Sequence, residues 1–258
     1  MWRPDGWAFR ARLGVLVPHA AIGTESELAA MAPEGVSIHA ARVPLGVMRA
    51  GGVMDATVAV DPVRAFADPL AIDDAAALLA DAPLHAIGVA FTGSSFVRGA
   101  ADDEVLRQRL EARTRGIPVA ITAHAAVLAL RALAVESLAI VDPPWFPREM
   151  IDLGARYFGE HGFTVVHAAA ADLPSFQRAI HPGQLFEWVR EHAPRDAGAI
   201  FIGGNGFRAV GVIEALEEDL GIPVLTANQV LFWQLLQLAG TRAPVTGYGQ
   251  LFARGLPD

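Results

Sequence analysis

Short apolar runs alternate with amphipathic stretches from one end of the chain to the other. The runs at 13–17, 36–42, 86–90, 119–121, 138–141, 164–168, 199–202 and 224–226 predict strands. Between them, helical periodicity predicts helices over 25–31, 73–81, 102–115, 125–133, 147–161, 182–192, 209–220 and 229–239. Apolar strands separated by such helices point to parallel sheets covered on both faces.

The pattern also repeats on a longer scale. Gly116-Ile117-Pro118-Val119 opens GIPVAITAHAAVLALRAL, and Gly221-Ile222-Pro223-Val224 opens GIPVLTANQVLFWQLLQL. Each copy follows a charged amphipathic stretch, and before that an apolar run ending in small polar residues, AIGVAFTGSSF and GAIFIGGNGF. The starts match too: Gly14-Val15-Leu16-Val17-Pro18 parallels Ala139-Ile140-Val141-Asp142-Pro143. A repeat this long predicts two similar folded halves. The expected fold class is α/β: two pseudo-symmetric, Rossmann-like parallel-sheet halves with an active-site cleft between them. The expected division is 1–117 plus 230–258 for the first half and 118–229 for the second.

Composition narrows the function. The chain has 258 residues, 53% hydrophobic and 19% charged, with net charge −8. A large core is expected, and no basic run offers a surface to nucleic acid or anionic membrane. The N-terminal stretch lacks the apolar core of a signal peptide, and no apolar run reaches about 18 residues. A soluble, cytoplasmic protein is therefore expected. With no cysteine, disulfides, thiolate metal sites and cysteine nucleophiles are excluded. No His/Asp/Glu cluster has metal-ligand spacing, so neither metal nor cofactor is expected. A homo-oligomer is expected from the high apolar content, with Phe232 and Trp233 on one helix.

Ligands of open parallel sheets sit beyond the carboxyl ends of the strands. That rule nominates the loops at 18–23, 92–95, 143–146 and 203–206. Thr92-Gly93-Ser94-Ser95 combines hydroxyls with a glycine that lets backbone approach a ligand, which suits an oxyanion. Gly203-Gly204-Asn205-Gly206 is its counterpart, and Asn205 offers an amide to a carboxylate. His19 and His124 are candidate proton carriers. Glu25 reads as a helix-dipole partner, Arg98 as a ligand-charge candidate, and Asp142 as either a cap or a cleft residue. Phe91, Trp145 and Phe207 flank these loops and would suit an aryl or apolar ligand portion.

Taken together, LGVLVPHAAIGTESEL, TGSSFVRGA, IPVAITAHAAVLALRAL, IFIGGNGF and TGYGQLF resemble the aspartate/glutamate racemase superfamily, in its arylmalonate decarboxylase and maleate cis-trans isomerase branch. The resemblance implies a substrate carboxylate in the loop 92–95. It also implies cysteines where this chain has Phe91 and Gly204, a loop asparagine where it has Ala21, and a tyrosine where it has Pro144. The expected activity is a cofactor-independent lyase, decarboxylase-like, that acts on a small carboxylate through an enolate. Its expected substrate contacts are Thr92, Gly93, Ser94, Ser95, Gly204, Asn205, Phe91 and Pro144, with His19 or His124 as acid. The alternatives are a non-catalytic carboxylate-binding protein, or an isomerase-related enzyme with a non-cysteine acid/base.

Overall fold

The computed structural model describes residues 5–257; residues 1–4 and 258, included in the expected first half, lie outside it. Two four-stranded sheets organise the chain. The first contains β1 (Ala11–Pro18), β2 (Val36–Val43), β5 (Ala86–Val89) and β6 (Val119–Ile121), ordered β2-β1-β5-β6. The second contains β7 (Ser137–Asp142), β8 (Thr164–Ala170), β9 (Ile200–Ile202) and β10 (Val224–Thr226), ordered β10-β9-β7-β8. Numbered by rank within each half, the two orders are the same, and every pairing within them is parallel. This is the repeated α/β architecture that the sequence predicts. The first sheet runs through β6, past residue 117 to Ile121.

The helices cover the sheet faces: α1 (Thr24–Met31), α2 (Val60–Ala65), α3 (Ala71–Leu79), α4 (Thr92–Arg98) and α5 (Ala100–Arg113), then α6 (Thr122–Ala132), α7 (Arg148–Glu160), α8 (Pro182–His192), α9 (Ile213–Leu220) and α10 (Ala227–Leu238). A short hairpin, β3 (Met48–Arg49) and β4 (Val53–Met54), projects between β2 and α2. The central strands β1, β5, β7 and β9 are buried almost throughout, which explains their continuous apolar sequence. The edge strands β2 and β8 are only partly covered, and they carry polar residues.

Helix α10 is apolar on nearly all sides and almost wholly buried. A Thr226/Gln229 capping box starts it. It leaves the second sheet and packs on α6, α1 and β5 of the first. Phe232 and Trp233, the pair behind the expected oligomer, are buried inside the chain on this helix. They belong to the core and offer no surface to a partner. Among the described residues, no helix is long and apolar enough to cross a membrane.

Gly88 lets α10 approach β5. A Cβ there would sit 3.0 Å from Leu231 Cδ1 and 3.1 Å from Leu235 Cδ1. Gly88→Val should therefore push α10 off the sheet and destabilise the protein by about 1–3 kcal/mol. Urea unfolding measures this, and an unchanged midpoint would contradict the packing described.

Candidate active site

The carboxyl ends of both sheets meet between the halves. The strand ends deliver four segments there: Pro18 and Ala21 at the end of β1, Phe91 after β5, Pro143–Phe146 after β7, and Gly203–Gly206 after β9. They enclose a chamber of about 30 Å³, room for one or two waters. Leu45, Val47, Met48, Met54 and Val58, from the segment around the hairpin, close one side, and Phe91, Trp145 and Phe146 close another. The turn Pro143-Pro144-Trp145-Phe146 aims these rings inward; it closes when Phe146 N donates to Pro143 O at 3.0 Å.

Thr24, Gly204 and Asn205 line the chamber's polar side, and behind them lies a buried network centred on Asn205. Its side-chain carbonyl accepts from Thr92 N and from Thr92 Oγ1, both at 3.0 Å. Its amide donates to Thr122 Oγ1 at 3.2 Å and to Asn228 Oδ1 at 2.9 Å. Its backbone carbonyl accepts from Thr24 Oγ1 at 3.2 Å and from Asn228 Nδ2 at 3.0 Å. Gly204 N donates to Thr92 Oγ1 at 3.1 Å. Asn228 also donates to Glu27 Oε2 at 2.7 Å, while Glu27 Oε1 takes the amides of Ala209 and Val210. Burial pushes the Glu27 carboxyl above its usual range, and these donors pull the other way. Gly204 holds φ +78, and a Cβ there would meet Pro143 Cδ at 3.1 Å. The loop thus needs glycine for both its turn and its packing.

The two nominated loops therefore touch, through Thr92, Gly204 and Asn205. The other nominated residues go to different places. Gly93 faces Phe146 and Met150 across the junction. Ser94 donates to Phe91 O within its own turn, 3.0 Å away. Ser95 points away from the chamber and donates to Asp103 at 2.8 Å; Tyr157 on α7 donates to the other Asp103 oxygen at 2.8 Å. Burial raises the Asp103 carboxyl to about 6, opposed by the Ser95 and Tyr157 hydrogen bonds. Phe91 lines the chamber and packs against Phe66, the ring centroids 4.6 Å apart and the planes tilted by 60°. Pro144 sits half-buried in the turn.

The two histidines separate. His19 is exposed beside Pro18, which lines the chamber, and its Nδ1 accepts from the Leu45 amide at 3.1 Å. His124 lies in the first turn of α6 and faces a different pocket, with Asp103, Glu104, Arg107 and His161. Burial pushes its imidazole below the usual range, reinforced by His161 and Arg131. Arg98 pairs with Asp68 and Asp102 at the surface, and Glu25 pairs with Arg42 at 2.5 Å. Among the described residues, no group of His, Asp or Glu is arranged to hold a metal ion.

Asp142 ends β7 directly behind the glycine loop. It is fully buried, and neither carboxylate oxygen has a hydrogen-bond partner among the described residues. Oδ1 lies against Gly203, where a Cβ would be 2.7 Å away. Burial alone raises its carboxyl to about 8, so it is mostly protonated at neutral pH.

The family model for arylmalonate decarboxylase matches residues 13–252. The chain belongs to the arylmalonate decarboxylase family. The arylmalonate decarboxylase of Bordetella bronchiseptica is 28% identical over 167 residues, 62% of this chain and 68% of that one. Among solved structures, a cysteine-to-alanine variant of the maleate isomerase Iso from Pseudomonas putida S16, with maleate, matches with TM-score 0.82 and 22% identity. The match covers 94% of this chain and 97% of that one. A crystal structure of arylmalonate decarboxylase matches with TM-score 0.76 and 22% identity, over 94% and 99% of the two chains. The Nocardia farcinica maleate cis-trans isomerase, bearing a covalently bound succinylcysteine, matches with TM-score 0.79 and 22% identity, over 94% and 98%. These likenesses establish the fold. Membership of the arylmalonate decarboxylase family supports an enzyme.

The Asp142 carboxyl gives a pH signature. Its folded-state pKa is raised, so the folded state holds the proton more tightly than the unfolded chain. The stability it contributes is full below about pH 4 and is lost as pH rises towards 8, by on the order of 5 kcal/mol at most. Asp103 acts in the same direction, but only up to about pH 6. Asp142→Asn should therefore lose less stability than wild type between pH 6 and 8.5, measured as urea midpoints. Parallel curves for the two proteins would show that Asp142 does not titrate in this range.

Proposed function

We propose that the protein is a cofactor-independent decarboxylase of small malonate-type dicarboxylates bearing an aryl or alkyl group. The observation that carries this reading is the chamber, with apolar walls on one side and, on the other, Asn205 backed by the buried Thr92. Phe91, Trp145 and Phe146 suit a ring or alkyl group. One substrate carboxylate takes donors from the Thr92–Ser94 turn, and for Thr92 it displaces the Asn205 carbonyl that accepts from the same two groups. The second carboxylate then faces Leu45, Val47 and Met54, where little solvates it.

Loss of CO₂ breaks the bond between that carboxylate carbon and the α-carbon. The electron pair passes into an enolate, which the same donors stabilise. His19 returns the proton: with Nδ1 accepting from Leu45, the neutral ring holds its hydrogen on Nε2. The exposed ring then recovers a proton from solvent. Isomerisation through a cysteine adduct is not available to a chain without cysteine.

A second reading, a carboxylate-binding protein without turnover, is favoured by one observation. Thr92 and Asn205 already satisfy each other's hydrogen-bonding groups.

The test is CO₂ release from phenylmalonate by the purified protein, with maleate as the isomerase substrate. Phenylacetate and CO₂ are expected, and no fumarate from maleate. Thr92→Val removes one oxyanion donor and should lower kcat by roughly 10²–10³-fold. His19→Gln should lower it by about 10²-fold or more. Tight phenylmalonate binding without CO₂ release selects the second reading. Fumarate production would overturn the choice of decarboxylation.

A further inference from the structure

The chamber is too small for a substituted malonate to enter without movement. Beside it lies a much larger groove of about 530 Å³, also formed between the halves. The two spaces share two lining residues, Gln177 and Gly206. The Gln177 side chain lies flat on Gly206; a Cβ at 206 would meet its Cδ at 2.9 Å. One side-chain amide thus separates the groove from the chamber. It stands on a short 3-10 turn, Gln177–Ala179, whose residues are all partly or fully exposed.

The charge of the groove is unusual for this chain. The protein carries −8 overall, yet the groove presents Arg178 and Arg208. Both are exposed, and neither makes an ion pair among the described residues. The groove's carboxylate is Glu27, whose oxygens are turned inward onto Ala209, Val210 and Asn228. Two unpaired guanidiniums on a concave surface attract a dianion and raise its local concentration. Guanidinium also matches carboxylate geometry in a two-pronged contact.

We propose that this groove is an entry site for small dicarboxylates: Arg178 and Arg208 capture the anion, and the Gln177 side chain gates its passage over Gly206 into the chamber. The proposal rests on the reading of the chamber as a carboxylate site. The gate opens by rotation of one partly exposed side chain, without separation of the halves. The cations act on arrival, the apolar chamber on chemistry.

Trp145 lines the chamber, so its fluorescence reports inner occupancy, with Trp145→Phe as the control that removes the signal. Phenylmalonate and maleate are mixed with the protein in stopped flow at several NaCl concentrations. The wild-type association rate should fall as salt rises. The double variant Arg178→Gln/Arg208→Gln should associate roughly 10-fold more slowly, with a flattened salt dependence. Arg195→Gln, which removes an exposed arginine outside the groove, should leave the rate unchanged. Gln177→Ala should speed association and dissociation together and leave the equilibrium constant nearly the same. Equal rates and equal salt slopes in wild type and double variant would overturn the proposal, as would the absence of any signal from either dianion. CO₂ release is read separately. Turnover with an unaltered double variant refutes the entry site alone; salt-dependent capture without turnover refutes the decarboxylase reading alone.

Discussion

One asparagine gathers the densest set of hydrogen bonds between the two halves. Asn205 sits on a loop of the second half, and all of its side-chain hydrogen-bonding capacity is used. Thr92 and Thr122, at the ends of two first-sheet strands, hold its carbonyl and its amide. Asn228, at the start of α10, holds the rest. Buried polar groups satisfied in this way fix geometry, because any displacement leaves one of them unpaired, at a cost of about 1–3 kcal/mol. The width of the chamber, the place of the glycine loop and the docking of α10 all follow from this junction.

The same junction explains the division of labour around the chamber. The Asn205 network is internally saturated, so on the proposed reading an incoming carboxylate exchanges for the Asn205 carbonyl. The walls are apolar and leave a second carboxylate poorly solvated. Asp142 is sealed behind the glycine loop in neutral form and adds no charge to the chamber. The cations lie outside it, on the groove. On the proposed reading, a dianion would meet attraction first and apolar surroundings second, the order that a desolvation-driven bond cleavage requires.

Much of this was legible in the sequence. The runs at the four central strands stood out because parallel strands covered on both faces are apolar throughout. The GIPV repeat disclosed the pseudo-symmetry, and the matching ranks of 92–95 and 203–206 brought Thr92 and Asn205 together. Helix α4 was not visible: TGSSFVR has poor helix formers, and tertiary packing against α7 holds it. Nor was the rotation of Ser95 toward Asp103 visible, since it depends on Tyr157 arriving from the other half. His124 illustrates the same gap. The repeat sets Thr122-Ala123-His124 beside Thr226-Ala227-Asn228, yet of His124 and Asn228 only Asn228 reaches the network. Nothing in the sequence singles out Glu27, in contrast to Glu25, and its partners lie about 180 residues away or more. A partner so distant leaves no local trace.

The central claim is that the Thr92–Asn205 contact couples the halves energetically. A double-mutant cycle with Thr92→Val, Asn205→Leu and the double variant, measured by urea unfolding, tests it most directly. The structure predicts that the double variant is less destabilised than the sum of the singles, with a coupling of about 1–3 kcal/mol. Additivity within about 0.5 kcal/mol would contradict it and leave the two loops adjacent without being linked.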